Sequence, residues 1–222
     1  GPGNWNLSSI EADTALALLL CVSRKVSQAE RFLRAGQWIS GKFPLGRDLT
    51  GKTCGIVGLG KIGKTIAKRA AAFDMKIAYF RRGQAYPDVS YTHCADLDEL
   101  AKVSDYLVVI VPGGPDTEKL SNAQVLNALG PDSYLINVAR GSVVDEKALI
   151  AALQEGAIAG AALDVFEDEP NVPAELLSMD QVVLTPHIGS GTYETRQAMA
   201  DLVFANISGY FGDGKLVTPV AL

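Results

Sequence analysis

The sequence lacks the features that mark several large protein classes. Its three cysteines, Cys21, Cys54 and Cys94, follow no CxxC or Cys/His spacing, which predicts reduced thiols and no bound metal. The longest apolar run, 15–22, has no charged segment before it and is far too short to cross a bilayer. Basic residues number 20 against 25 acidic ones, so a nucleic-acid groove is not expected. We therefore expect a cytoplasmic globular protein that binds neither membrane nor nucleic acid.

The chain has enough apolar material for one large folded unit. It contains 222 residues, of which 48% are hydrophobic, and it shows no internal repeat. This composition supports a packed core and excludes wholesale disorder. A length between one and two average domains fits a single large α/β unit.

From residue 53 onward, short apolar runs alternate with segments of helical periodicity. Strands are expected at 53–57, 76–80, 106–111, 133–137, 158–163 and 181–184. Helices are expected at about 61–73, 96–102, 121–128 and 145–155. Several of the strands are continuous hydrophobic runs, which suits parallel strands that are buried on both faces. The alternation predicts an α/β fold with a doubly wound parallel sheet of the Rossmann type.

The two ends of the chain lie outside this alternation. Residues 1–9 are interpreted as a cloning scar or a loop remnant. Residues 10–35 keep a roughly helical spacing of apolar positions, which predicts one long helix that packs on another body. A last helix is expected from about residue 192 to residue 211.

A glycine-rich turn, residues 58–63 (GLGKIG), lies between a predicted strand and a predicted helix. In dinucleotide-binding folds the first glycine permits the tight turn, the second admits a pyrophosphate and the third lets helix and strand pack closely. Amides at the helix N-terminus then meet the phosphate charge. A GxGxxG pattern alone also occurs in ordinary turns, but the strand–turn–helix context favours a dinucleotide site.

The residues that follow the second strand predict which nucleotide binds. NAD-binding folds place an acidic residue there, where it binds the ribose 2′-hydroxyl. This sequence has Arg81 and Arg82 instead, and no acid between 76 and 83. Two guanidinium groups suit a 2′-phosphate, although a solvated basic turn would look the same. We expect NADP(H) as the cofactor, with NAD(H) bound more weakly.

Three residues capable of catalysis follow successive predicted strands. Arg140, Glu169 and His187 come after the fourth, fifth and sixth strands, at the edge where doubly wound sheets bind ligands. Each residue alone has a structural or solvated explanation. Together they supply a cation for a substrate carboxylate, an acid that donates a proton and a carboxylate that orients this acid. The other histidine, His93, has no such context and is expected at the surface.

Four segments in the same order carry a family resemblance: residues 55–63 (GIVGLGKIG), 136–145 (INVARGSVVD), 162–166 (ALDVF) with Glu169 and Pro170 beyond it, and 186–190 (PHIGS). Over about residues 12–220, the chain resembles the D-2-hydroxyacid dehydrogenases, which are NAD(P)-dependent reductases of 2-oxoacids. It looks most like their NADPH-preferring glyoxylate/hydroxypyruvate reductase branch, and plant hydroxyphenylpyruvate reductases are also similar.

The resemblance implies a role for each strand-end residue. Arg140 would bind the substrate, His187 would be the general acid supported by Glu169, and Asp164 would contact the nicotinamide amide. The implied reaction is hydride transfer from NADPH to a small anionic 2-oxoacid. The implied cofactor contacts are Gly58, Leu59, Gly60, Lys61, Ile62, Gly63, Arg81, Arg82, Val111, Pro112, Thr117, Val138, Ala139, Arg140, Asp164, His187, Gly189 and Ser190.

The resemblance also implies how the chain is divided. Residues 10–189 would form the dinucleotide-binding domain, and residues 190–222 would be the crossover helix and tail of a substrate domain that is otherwise missing. The helix at 10–35 resembles the arm that packs on the partner subunit in family dimers, which predicts a homodimer. Two alternatives stay open: a cofactor-sensing, corepressor-like protein that binds a peptide partner, and a bare structural Rossmann domain. The strand-end residues favour the enzyme.

Overall fold

Seven short strands form one parallel sheet in a computed structural model, which describes residues 7–219. In chain order they are β1 (Thr53–Val57), β2 (Lys76–Phe80), β3 (Thr92–Cys94), β4 (Tyr106–Val109), β5 (Tyr134–Asn137), β6 (Gly160–Leu163) and β7 (Val182–Leu184). Their order across the sheet is β3-β2-β1-β4-β5-β6-β7. The chain places β2 and β3 on one side of β1 and the remaining strands on the other, so the strand order reverses between β1 and β4. A ligand cleft is expected at the carboxyl ends of these two strands. The predicted Rossmann-type fold is confirmed.

Helices cover both faces of this sheet. They are α1 (Leu7–Arg24), α2 (Val26–Arg34), α3 (Lys61–Ala71), α4 (Leu97–Val103), α5 (Ala123–Leu129), α6 (Glu146–Gln154), α7 (Ala174–Ser178) and α8 (Tyr193–Asp213). Four of them begin at a side chain that accepts a hydrogen bond from a backbone amide of the first turn, namely Asp96, Asn122, Asp145 and Thr192. Within residues 7–219, no helix combines the length and the apolar character that crossing a membrane would need.

The strands alternate between two cores, one on each face of the sheet. In β4, Leu107 and Val109 contribute to the core formed with α4, α5, α6 and α7, whereas Tyr106 and Val108 contribute to the core formed with α1 and α3. Successive side chains of a strand point to opposite faces, so a strand that is apolar throughout fills both cores. This arrangement explains the continuous hydrophobic runs in the sequence.

The single helix expected over 10–35 is wrong. The chain turns at Lys25, whose φ of 55° is left-handed, and this residue separates α1 from α2. Ala12, Ala15 and Leu19 of α1 are fully buried in this chain's own core, so α1 is part of the domain. No residue of α2 is buried. Helical spacing continues across the break, which is why the sequence did not reveal it.

The start of the chain and the third strand also differ from expectation. Of the segment 1–9, residues 1–6 lie outside the described range, and residues 7–9 belong to α1. Strand β3 has only three residues and too short an apolar run to be recognised. His93 lies in this strand and is half-buried, with its ring centroid 5.1 Å from that of Tyr79, so its expected surface position is wrong.

Candidate active site at the carboxyl edge of the sheet

The glycine turn has the geometry that a bound pyrophosphate needs. Gly58 has a φ of 98°, and a Cβ there would lie 2.6 Å from the Ile110 carbonyl oxygen. A Cβ on Gly63 would lie 2.1 Å from the Gly58 carbonyl oxygen, so α3 packs on the turn only because Gly63 lacks one. A Cβ on Gly60 would meet nothing within 4 Å. The open space above Gly60, at the N-terminus of α3, therefore fits a phosphate group.

Two adjoining cavities bring most of the predicted cofactor residues together. A cleft of about 870 Å³ runs along the strand ends, and the predicted residues that line it are Gly60, Lys61, Ile62, Gly63, Val111, Pro112, Val138, Ala139 and Arg140. A cavity of about 410 Å³ shares Val111 and Pro112 with this cleft and adds Arg81, Arg82 and Thr117. Six predicted residues do not line either cavity, namely Gly58, Leu59, Asp164, His187, Gly189 and Ser190. The side chain of Leu59 is 1% exposed and packs in the core. Only its backbone is available to a ligand.

The two arginines after β2 have different neighbours. The guanidinium of Arg81 lies over the ring of Tyr86, 4.0 Å from the ring centroid. Arg82 reaches across the smaller cavity and forms an ion pair with Asp116, with 3.0 Å between Nη1 and Oδ2. The sequence does not distinguish the two arginines, whereas in the structure Arg81 has an aromatic partner and Arg82 has an acidic one.

His187 and Glu169 form a hydrogen-bonded pair. Nδ1 of His187 lies 2.7 Å from Oε2 of Glu169, and the other carboxylate oxygen of Glu169 accepts a hydrogen bond of 3.0 Å from the Phe166 amide. Burial raises the pKa of the Glu169 carboxyl, but these hydrogen bonds and the charges of His187 and Arg140 outweigh it and lower this pKa overall. Because Nδ1 is occupied, Nε2 is the ring nitrogen left to meet a substrate.

Asp164 holds the loop that carries His187. It is 2% exposed. Its Oδ1 accepts hydrogen bonds from the Thr185 hydroxyl at 2.6 Å and the Ile188 amide at 2.8 Å, and its Oδ2 accepts one from the Gly189 amide at 2.8 Å. Ser190 lies half-buried just beyond this loop. The carboxylate therefore has a structural role here, and its implied contact with a nicotinamide amide stays a prediction.

Arg140 is brought to the same edge by two close backbone approaches. A Cβ on Gly113 would lie 3.0 Å from Cγ of Arg140, so the arginine stem packs across this glycine. A Cβ on Gly141 would lie 1.9 Å from the carbonyl group of Phe166. The loop after β5 and the loop after β6 therefore touch, and the exposed Arg140 and Glu169 lie within electrostatic reach of each other.

Sequence reasoning missed one ionisable residue of this site, Glu11. It projects from α1 into the larger cleft and is half-buried. Burial raises the pKa of its carboxyl, and the nearby charges of Arg140 and His187 offset part of that rise. Nothing in the local sequence distinguishes Glu11 from any other acidic residue in a helix, because α1 meets the strand ends only in the folded chain.

Comparisons with known proteins agree with this geometry. A family model described as "D-isomer specific 2-hydroxyacid dehydrogenase, NAD binding domain" matches residues 16–189. The chain is 48% identical over 209 residues to hydroxyphenylpyruvate reductase of Plectranthus scutellarioides, covering 94% of this chain and 66% of that protein. It is 49% identical over 209 residues to glyoxylate/hydroxypyruvate reductase A of Arabidopsis thaliana, with the same coverage.

A solved structure is similar over the whole chain. It is the NADPH-dependent glyoxylate/hydroxypyruvate reductase of Sinorhizobium meliloti in complex with NADP and malonate, with a TM-score of 0.93 and 50% identity. The match covers 100% of this chain and 69% of that one. The chain thus spans about two thirds of the length of the relatives it matches.

Proposed function

Because the chain belongs to the D-isomer-specific 2-hydroxyacid dehydrogenases, matched through their NAD-binding domain, we propose that it is the cofactor-binding part of an NADPH-dependent reductase of small 2-oxoacids. The observation that carries this proposal is the His187–Glu169 pair, 2.7 Å apart, at the strand edge that also holds the glycine turn and Arg140. The matched relatives are named as reductases, which favours this function over a corepressor-like binding protein.

Each strand-end residue has one task in the proposed reaction. Bound NADPH would supply the hydride that reduces the substrate carbonyl carbon. The Arg140 guanidinium binds the substrate carboxylate and polarises the carbonyl oxygen. His187 donates a proton from Nε2 to the oxygen as negative charge develops there. Glu169 accepts a hydrogen bond from Nδ1, which orients the imidazole.

We propose a 2-oxoacid as the substrate and do not specify its side chain. The two plant relatives are about equally similar to this chain, yet their names specify an aromatic 2-oxoacid in one case and small ones in the other. Both substrate types present the same carboxylate and carbonyl to Arg140 and His187. We therefore assign the choice of side chain to the third of the relatives' length that this chain does not span.

Calorimetric titration of the chain with NADPH and, separately, with NADH tests the cofactor assignment. We expect NADPH to bind at least about tenfold more tightly, because its 2′-phosphate gains charge-assisted contacts with Arg81 and Arg82. Equal affinities would overturn the role of the two arginines. Absence of binding by either nucleotide would overturn the proposal for this chain.

We also propose that residues 10–189 form the dinucleotide-binding domain and that residues 190–222 belong to a substrate domain. The support is that α8 exposes Val203, Phe204 and Phe211, and that Thr195 is its only buried residue. Hydrogen exchange tests this division. In a longer chain that includes the missing segment, the α8 amides should exchange much more slowly than in this chain.

A homodimer is the proposed assembly, through α2 and the segment that follows it. Trp38, Ile39 and Leu45 are 70%, 96% and 92% exposed, and a cavity of about 990 Å³ lies between α2 and the segment 42–47. Sedimentation should give a dimer, and the double variant Ile39→Asp/Leu45→Asp should give a monomer. A clean monomer of the unchanged chain at high concentration would contradict the proposal.

The three free thiols are compatible with the cytoplasm, which we propose as the location of the protein.

A further inference from the structure

Tyr86 lies against two cations, one of which, Arg81, directly follows β2. The Arg81 guanidinium carbon is 4.0 Å from the centre of its ring, and Nζ of Lys64 is 4.4 Å from the same centre. Both distances are within the range of a cation–π interaction. Neither Tyr86 nor Lys64 belongs to the glycine turn or to a strand end, and the family resemblance assigned no role to either.

The position of Tyr86 is set by the sheet beneath it. Its backbone amide donates a hydrogen bond of 2.9 Å to the hydroxyl of Tyr79, a residue of β2 that is fully buried. The two tyrosine rings stack with their centroids 6.3 Å apart, and His93 of β3 packs on Tyr79 in turn. The ring under Arg81 is therefore anchored to β2, and Tyr79 connects it to β3.

The neighbouring cations are neutralised to different degrees. Lys64 forms an ion pair with Asp88 at 2.7 Å, and Arg82 forms one with Asp116 at 3.0 Å. Among residues 7–219, Arg81 has no acidic partner. Its guanidinium is held in place by an uncharged ring, so its charge stays available to an added anion.

We propose that Tyr86 is a positioning residue that selects the phosphorylated cofactor. It holds Arg81, with Lys64 beside it, at the end of β2, where dinucleotide folds read the ribose 2′ position. Arg81 and Arg82 line the same cavity of about 410 Å³, so a 2′-phosphate there would meet a guanidinium without breaking an ion pair. An unphosphorylated ribose would gain nothing from this arrangement. The inference rests on the proposed binding of NADP(H).

Titration calorimetry on Tyr86→Leu and Tyr86→Phe tests the proposal. In Tyr86→Leu we expect NADPH to bind about threefold to tenfold more weakly, with the affinity for NADH changed less than about twofold. Tyr86→Phe keeps the ring face and should keep the unchanged chain's ratio of the two affinities. If Tyr86 had a purely structural role, Tyr86→Leu would weaken the binding of both nucleotides equally. An unchanged ratio of the NADPH and NADH affinities in this variant would overturn the proposal.

A double-mutant cycle sharpens the test. In the Arg81→Gln background, Tyr86→Leu should have a smaller effect on NADPH than it has alone, because Tyr86 acts through Arg81. Asp88→Asn, which releases Lys64, should tighten NADPH binding about twofold and leave NADH unaffected.

Two further variants keep the proposal testable if Tyr86→Leu fails to fold. Arg81→Gln and Lys64→Gln should each weaken the binding of NADPH and leave the binding of NADH unchanged. An unchanged affinity for NADPH in either variant would overturn the proposal. Absence of NADPH binding by the unchanged chain would overturn the proposed function together with this inference. An unchanged ratio in Tyr86→Leu, with binding by the unchanged chain intact, would overturn the role of Tyr86 only.

Discussion

The loop that carries His187 is held by the buried carboxylate of Asp164, whereas Arg81 and Arg82, after β2, are held by side chains that water reaches. Asp164 fixes the loop around His187 through three hydrogen bonds, and Glu169 is fixed by the Phe166 amide. Arg82 depends on an ion pair with an exposed aspartate. The backbone that carries the proposed general acid is therefore fixed by a buried group, whereas the groups proposed to choose the nucleotide are held at the surface.

Substitutions at these two places should therefore differ in their effect on the stability of the protein. Removing a buried, hydrogen-bonded carboxylate leaves its partners without an acceptor, while a surface ion pair contributes little to stability and is weakened by salt. The chemistry of the site should resist substitution, and the preference between nucleotides should shift with single exposed residues. Three substitutions, in order of decreasing effect, test the buried side of this contrast and the cleft between the two sides.

The largest effect is expected from Asp164→Ala. The substitution leaves the Thr185 hydroxyl and the Ile188 and Gly189 amides without their acceptor, so we expect a loss of about 3 kcal/mol in the free energy of unfolding. Urea unfolding measures it. Asp180→Ala removes a fully exposed carboxylate and serves as the matched control with little expected change. If Asp164→Ala is as stable as this control, the buried side of the contrast is wrong.

A smaller effect, confined to binding, is expected from Gly60→Ala. The added Cβ meets no atom of the chain, so the melting temperature should be unchanged, but it occupies the space proposed for the pyrophosphate. Affinity for NADPH and for NADH should fall by the same factor, about tenfold or more, in calorimetry. The neighbouring Gly63→Ala should instead lose stability, because its Cβ would lie 2.1 Å from the Gly58 carbonyl oxygen. A loss for NADPH alone in Gly60→Ala would contradict the assignment.

The smallest effect is expected from Glu11→Gln. The pKa of Glu11 is raised above its ordinary value of 4.5, mainly by burial, so ionising this carboxyl favours the unfolded state. The cost is absent below the unfolded pKa and appears as the pH rises above it. The variant should therefore match the unchanged chain at about pH 3.5, below the unfolded pKa, and be more stable, by roughly 1 kcal/mol or less, at about pH 7.5.

Thermal unfolding at the two pH values checks the Glu11→Gln prediction. Glu175→Gln, at an exposed position of α7, changes the net charge equally and should show no such gain. A gain of equal size at both pH values would show that burial of the charge is not the cause.

The features that the sequence predicted are those set by local geometry. The roles of Gly58, Gly60 and Gly63 could be assigned because the backbone features that require glycine all lie within one turn. The strands could be found because buried parallel strands are apolar throughout. Glu11 could not be found, since it reaches the cleft only when α1 packs across the sheet. The break at Lys25 was hidden by spacing that stays helical on both sides. The different partners of Arg81 and Arg82 come from residues far along the chain or off the motif, such as Asp116 and Tyr86.

The burial of α1 has a consequence for the order in which the molecule folds. This helix packs on α3, which follows it closely in sequence, and also on β5, β6 and β7, the strands at the opposite end of the sequence. On the ribosome, the part of its apolar side that faces α3 can be covered soon after α3 emerges. The part that faces the last strands stays uncovered until nearly all of the sheet has been made, because that contact needs strands that do not yet exist. Apolar surface there stays accessible to chaperones or to other nascent chains for most of synthesis.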